Sequence, residues 1–305
     1  MGIYQKWFLA CRPWSFSMTA VSVTIGSVWG GADAEFNWAL YLITLIGVIF
    51  AHGSANLFND FFDVRSGVDT GEVSTAQYRP HPLAEGSLRP RDVMAQALLF
   101  LAVAASAGIY LAAARGLMVL WISLAGAFAL YFYTAPPFKY KYKALGEIAV
   151  FLMWGPLMVE GAYYVQAQAL SREALLISIP PGILVALVLL ANNIRDIRDD
   201  GKMGIKTLPI MTGSRRGILV YIGLVGMAYL SVVLMSLLGP LSPWSLMVLV
   251  SVPLFFKLLR QMMEGPPKDA DARTAQLNTA FGVLLLLSVI IEALLQRKRA
   301  RPRNL

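Results

Sequence analysis

Five carboxylates and four amides recur in two short segments of the chain. The first reads Asn56-Leu57-Phe58-Asn59-Asp60-Phe61-Phe62-Asp63 and the second Asn192-Asn193-Ile194-Arg195-Asp196-Ile197-Arg198-Asp199-Asp200. In each, an Asn is followed by an Asp four residues on and by another three further. On a helix, positions i, i+4 and i+7 fall within about 60° of one another, so each segment presents a polar stripe, with Asp200 beside the second. Oxygens of this kind facing a cavity are hard ligands suited to Mg2+, which keeps several waters and bridges a few carboxylates to phosphates. Two such clusters facing each other could hold a diphosphate between them through metal ions. The bland alternative is that the acids are solvated loop-edge residues balancing Arg65, Arg195 and Arg198. Two matching clusters, 136 residues apart and on the same side of a membrane, favour the metal reading.

The elements that must position these groups are membrane spans. The 305 residues are 57% hydrophobic and only 14% charged, with a mean hydropathy of +0.60, which excludes a soluble globule and a disordered chain. A single cysteine, Cys11, excludes a disulfide-stapled domain. A span needs about 20 mostly apolar residues. Nine stretches qualify, at roughly 14–33, 38–58, 93–114, 116–134, 147–168, 174–194, 216–238, 241–260 and 276–296. No cleavable signal peptide is expected ahead of them. The expectation is therefore one all-α polytopic bundle over residues 1–305, in two related halves at about 14–134 and 147–260 plus a last helix.

The net charge of +8 would suggest nucleic acid in a soluble protein; here anionic headgroups and orientation explain it and no nucleic-acid partner is expected. With the N-terminus inside, the inner segments carry 19 of the 26 Lys and Arg, and the outer connections hold only Arg115 and Arg172. An odd number of spans sends the tail with Arg297, Lys298, Arg299, Arg301 and Arg303 outside. Either these late charges count for less than the earlier ones, which is preferred, or one span is miscounted. The inner loops, 59–92 and 195–215, are also long and acidic, so chemistry is expected at the cytoplasmic mouth.

Asn59-Asp60-x-x-Asp63 followed by Asp196-x-x-x-Asp200 resembles the paired aspartate-rich motifs of the UbiA superfamily of intramembrane prenyltransferases. Arg12-Pro13, Arg79-Pro80, the run from Tyr133 through Pro136-Pro137 to Lys139 and Lys141, and Gly204-Ile205-Lys206-Thr207-Leu208 look like family positions too. Asn192-Asn193-x-Arg195-Asp196, and Gly155-Pro156 followed by Gly161-x-Tyr163-Tyr164-Val165-Gln166, are most similar to the branch that prenylates 1,4-dihydroxy-2-naphthoate for menaquinone. Two features depart from the pattern. Gly67 stands where many members have a further Asp, with Asp69 two residues on, and Arg79-Pro80-His81-Pro82 is closer to the hydroxybenzoate and chlorophyll-synthase branches.

The resemblance implies a nine-helix fold and a reaction in which an allylic isoprenyl diphosphate loses its diphosphate to an attacking aromatic carbon. Mg2+ and basic side chains must neutralise the leaving group. Asn56, Asp60, Asp63, Asp196 and Asp200 would hold the metals. Lys139, Lys141, Arg65 and Lys206 are candidate diphosphate contacts, with Asn59, Tyr133, Asn192 and Asn193 lining the site and Arg12 or Lys206 meeting an acceptor carboxylate. Lys139, Lys141 and Lys143 could instead form a headgroup patch. The developing cation calls for aromatic faces, and Phe62, Tyr131, Tyr133, Tyr163 and Tyr164 are available, although each could equally be packing.

Glu160 lies mid-helix, as a functional or a paired structural carboxyl. His52, one turn before Asn56, reads better as a satisfied packing residue. Pro180-Pro181 and Gly155-Pro156 should kink their helices. Two other classes compete: a cation-coupled transporter, against which the acids' placement at helix ends rather than mid-membrane argues, and a non-catalytic lipid-binding scaffold, which has no need of matching acidic motifs. The sequence leaves the oligomeric state open.

Overall fold

The computed structural model describes residues 2–68 and 80–300, with side chains as far as 296. Asp69, Arg79, Arg301 and Arg303 of the reading above lie outside the described residues, as do the side chains of Arg297, Lys298 and Arg299. Among the described residues, besides short 3-10 turns at Pro13–Ser15 and Tyr140–Tyr142, twelve helices follow in order: α1 (Ile3–Cys11), α2 (Phe16–Asp33), α3 (Trp38–Arg65), α4 (Pro90–Arg115), α5 (Leu117–Phe132), α6 (Gly146–Ala167), α7 (Arg172–Arg195), α8 (Ile197–Lys202), α9 (Leu208–Thr212), α10 (Ser214–Leu238), α11 (Pro243–Glu264) and α12 (Ala270–Ala300). Among the described residues the extended structure amounts to one isolated bridge, Lys143 to Lys206.

All nine apolar stretches are largely helical. Seven helices, α3, α4, α6, α7, α10, α11 and α12, are long and apolar enough to cross a membrane, and α5 is apolar but shorter. The first stretch is α2, whose hydropathy is lowered by Gly26, Gly30 and Gly31 and by the buried Thr19, Ser22 and Ser27. This is a multi-pass membrane protein.

Local sequence explains where the helices start and bend. The Asn37 side chain caps α3 by accepting from the Leu40 N–H at 3.1 Å, and Pro90 opens α4, where a missing N–H costs nothing. Gly116, at φ +105°, makes the tight turn between α4 and α5. Within α6 the ladder loosens into a π-helical turn at Met153–Leu157 around Pro156, because the proline ring cannot donate and crowds the preceding turn. A break at Ser178 divides α7 just before Pro180-Pro181.

One expectation needs correcting. The stripe of Asn56, Asp60 and Asp63 lies on an unbroken helix, but the second motif does not. Helix α7 stops at Arg195, Asp196 is a non-helical hinge (φ −89°, ψ 7°), and α8 restarts at Ile197. Asp199 and Asp200 therefore belong to a different short helix from Asn192, held by their N–H groups on the Asp196 carbonyl, both at 2.9 Å.

Helix α3 packs along α4, and α2 lies against α6 and α12. The α2–α6 approach is unusually close: a Cβ on Gly26 would sit 2.1 Å from the Val159 carbonyl oxygen, and one on Gly30 2.6 Å from that of Tyr163. Only glycines spaced as Gly26-x-x-x-Gly30 allow it. Helix α7 is the most enclosed of the spans. It buries Ile183, Leu184, Leu187 and Leu190 in a core shared with Tyr221 of α10 and Phe281 of α12.

Candidate active site

The first motif ends α3 beside α1 and the turn that follows it. Arg12 takes the left-handed conformation (φ 53°) that ends α1, which turns its guanidinium onto Asp60; Nη2 donates to Asp60 Oδ1. Asp60 is 3% exposed and also has His81 Nε2 at 3.7 Å. One turn back, Asn56 Nδ2 donates to the Cys11 carbonyl at 2.9 Å, so the motif and the N-terminal segment fix each other. Burial beside this corner, with Asp60 adding its charge, pushes the Cys11 thiol up to about 11. Asp63, 1% exposed, is held from the other side. Lys141 Nζ donates to Asp63 Oδ2 at 2.5 Å and to Asn59 Oδ1 at 3.0 Å, and the Tyr142 hydroxyl donates to Asp63 Oδ1.

The residues 139–143 reach this position through a compact turn. Lys139 is left-handed at φ 45° and precedes a single 3-10 turn, Tyr140–Tyr142. Lys141 is thereby aimed at the acids, with its ammonium 5.9 Å from the Tyr133 ring centroid. The backbone of the same turn is bridged to the loop after the second motif: the Lys206 N–H donates to the Tyr142 carbonyl at 3.2 Å, and the Ala144 N–H to the Lys206 carbonyl at 2.7 Å. Lys206 is exposed and Thr207 buried.

In the second motif Arg195 is the organiser. Its side chain is only 3% exposed. It clasps both oxygens of Asp196 at 2.7 and 2.6 Å, the Asn192 side-chain oxygen at 2.6 Å and Asp271 of α12 at 2.8 Å. Asn193 points elsewhere and donates to Glu147 Oε1 at 2.9 Å, both side chains being buried. Glu147, Tyr142 and Asp271 escaped the sequence reading, and His81 entered it only as part of a motif and not as a partner of Asp60, since each acts across 20 or more residues. Arg65 stands on another face of α3, 200° round from Asp63, exposed in a groove with Phe61, Leu83 and Arg91.

Deeper in the bundle, starting about one turn of α3 from Asn56, lies a cavity of about 330 Å3 between α3, α4, α5 and α6. It begins near Ala55 and His52 and runs to Thr44, Leu111, Val119 and Val165, roughly 16 Å along α3. Small residues such as Gly47, Ala51, Ala104, Gly108, Ala127 and Gly161 leave the space. None of Phe62, Tyr131, Tyr133, Tyr163 or Tyr164 lines it. Phe62 and Tyr131 pack edge-to-face in the core, and the Tyr163 hydroxyl donates to Asp33 at 2.8 Å at the far end of the bundle. Glu160 accepts there from the Ser171 N–H at 2.6 Å.

A charged corner about one turn of α3 from an apolar cavity suits an amphiphile with an anionic head. The model of the UbiA prenyltransferase family matches residues 20–287. The chain belongs to this family. Among relatives, 1,4-dihydroxy-2-naphthoate octaprenyltransferase of Bacillus subtilis is 30% identical over 287 residues, covering 92% of this chain and 90% of its own. UbiA prenyltransferase domain-containing protein 1 of Gallus gallus is 28% identical, covering 93% and 84%. In fold the chain resembles a UbiA homolog from Archaeoglobus fulgidus bound to GPP and Mg2+, at TM-score 0.64 and 18% identity, covering 94% of this chain and 99% of that one. The present UbiA-family chain is accordingly a prenyltransferase, and membership leaves the transporter and scaffold readings without support.

The donors fit a divalent ion in kind. Asp60, Asp63, Asp196 and Asp200, with the amide oxygens of Asn56 and Asn59, are hard oxygen ligands. Among the described residues no three Asp, Glu, His or Cys side chains converge as a preformed metal site. The physical reason is visible at three of the four acids: Asp60 is paired with Arg12, Asp63 with Lys141, and Asp196 with Arg195.

Proposed function

We propose that this chain transfers a polyprenyl group from an allylic isoprenyl diphosphate to 1,4-dihydroxy-2-naphthoate, with Mg2+ bound, on the cytoplasmic side of the cell membrane. The observation that carries the reading is the cation-paired acid corner standing about one turn of α3 from an apolar cavity: a diphosphate at Asp60, Asp63 and Asp196 would extend its chain between α3 and α6. The Bacillus relative acts on that naphthoate by its name, which supports the choice of acceptor. Crowding of Lys and Arg at the motif end supports the orientation.

The contacts support the following roles. Asn56, Asp60, Asp63, Asp196 and Asp200 would hold the metal, which when bound supplies charge neutralisation for the leaving diphosphate. Lys141, already beside Asp63, can swing to a phosphate oxygen while Asn59 steadies it. Lys139 and Lys206 stand at the same mouth as further phosphate or headgroup contacts, and Arg12 can meet the acceptor's carboxylate. Arg195 fixes Asp196 and Asn192, Asn193 and Tyr133 shape the wall between the two motifs, and Arg65 is reserved for the membrane surface. In the reaction the carboxyl-bearing ring carbon bonds to the allylic carbon and the C–O bond to diphosphate breaks. The carboxylate then leaves as CO2, and the hydroxyl proton given up on attack is regained.

The deciding experiment offers the purified protein Mg2+, an all-trans prenyl diphosphate and either the naphthoate or 4-hydroxybenzoate. A prenylated naphthoquinol with CO2 release is expected; turnover of hydroxybenzoate alone would overturn the acceptor assignment.

A further inference from the structure

Only two ring-bearing side chains line the cavity among the described residues, His52 and Trp154. Both stand at its motif end, His52 one helical turn from Asn56. Trp154 belongs to the π-helical turn of α6, the kind of insertion that re-aims a side chain and recurs at functional sites. The turn is fixed from behind, because Gly155 packs so closely on α7 that a Cβ would lie 2.9 Å from the Ser178 carbonyl oxygen and 3.1 Å from Gly182 Cα.

The indole is also fixed in its own plane. Its Nε1–H donates to Thr19 Oγ1 at 3.1 Å, and that hydroxyl lies 2.7 Å from His52 Nδ1. An indole N–H can only donate, so Thr19 accepts from it, and its own hydroxyl proton is then available to Nδ1. The imidazole proton is then on Nε2, facing Ser15 Oγ at 3.2 Å, and Ser15 in turn donates to the Arg12 carbonyl at 2.7 Å. With a neutral imidazole protonated on Nε2, every donor in this chain of bonds meets an acceptor. These bonds tie Trp154 to the residue that holds Asp60. His52 and Trp154 meet edge-on, with centroids 4.9 Å apart and planes at 80°.

We infer that Trp154 is the wall against which the allylic cation develops, and that Thr19 and His52 are positioning residues that hold its ring. The inference rests on the proposed prenyl-diphosphate reaction. With the diphosphate at the acid corner, the first carbon of the chain must enter the cavity at its motif end, where Trp154 stands. As the C–O bond lengthens, positive charge accumulates on that carbon. Indole is the strongest of the side-chain π donors, and the surrounding Ala55, Leu130 and Met158 exclude the water that would quench the cation. The π turn thus supplies what the expected tyrosines do not.

The test compares binding of two probes of equal chain length in the presence of Mg2+ and inorganic diphosphate: an isoprenyl ammonium with its charge in place of the allylic carbon, and the neutral isoprenyl alcohol. Trp154→Leu should weaken the ammonium about tenfold and the alcohol less than twofold. Trp154→Phe should lose less, Thr19→Val should lower the ammonium-to-alcohol preference while keeping the fold, and Thr19→Ser should restore it. Equal losses for both probes, or an unchanged ammonium affinity, would overturn the assignment while leaving the proposed function standing. If the unaltered protein fails to bind isoprenyl diphosphate with Mg2+, the proposed function falls and takes this inference with it.

Discussion

Asp60 and Asp196 are each gripped by an arginine, Asp60 by Arg12 from 48 residues away and Asp196 by Arg195 from the adjacent position. Both are solvated at the bundle mouth less than they are paired, so Asn in either place removes a charge without emptying any volume. Asp60→Asn and Asp196→Asn should each lower turnover by at least about 1,000-fold, the scale of losing one electrostatic stabiliser, while the purified proteins keep their elution volume and helical content. Near-normal rates in either would remove that acid from the site. The lysines separate differently. Lys141 touches Asp63 and Asn59, whereas Lys139 serves as the left-handed hinge of its turn; Lys141→Ala should cost turnover about 100-fold or more and Lys139→Ala only a few-fold, measured as kcat at saturating prenyl diphosphate. Equal mild effects would make the pair a headgroup patch. The acids were legible because they stand at helical spacing within one segment. Tyr142, Glu147 and Trp154 were not, because what they touch depends on how α3, α6 and α7 pack, which no local pattern records.

Helices were legible wherever an apolar run exceeded a span's length, and unreadable where one side chain redirects the backbone. Nothing in the order Asn192 to Asp200 announces that α7 stops at Arg195, since the break follows from a clasp between Arg195, Asp196 and Asp271 of the distant α12. The close seam of α2 on α6 was hidden in the same way: Gly26-x-x-x-Gly30 names a small face without naming its partner. That seam makes its own prediction. Gly26→Ala must push a methyl against the Val159 carbonyl, which is backbone and cannot step aside, so the helices must part. A loss of about 1–3 kcal/mol is expected, read as a lower detergent melting temperature, whereas Gly223→Ala, with nothing within 4 Å of its Cβ, should be neutral or slightly stabilising.

At the scale of the whole molecule, charge and cavity are arranged along one axis, with the lysines and arginines of the motif-bearing loops at one end and Asp33, Glu35 and Gln168 at the other. Cysteines introduced at Lys143 and at Gln168, in a chain whose Cys11 is replaced by Ser, should label with a membrane-impermeant maleimide from opposite faces: Lys143→Cys only in inverted vesicles, Gln168→Cys only in right-side-out cells. The reverse pattern would invert the orientation. The pairing of Asp60, Asp63 and Asp196 with Arg12, Lys141 and Arg195 has a consequence for the resting protein. Carboxylates gathered to bind cations usually repel one another until those cations arrive, which makes folding hostage to metal supply. Here the polypeptide carries its own counterions, like an ion exchanger shipped in its salt form. Chelation should therefore leave the melting temperature within about 2 °C of its value in Mg2+, whereas Arg12→Ala should melt lower in chelator and recover when Mg2+ is added. The protein's own side chains thus balance these acids, and on the proposed function a bound cation would replace a side-chain partner in place of adding charge.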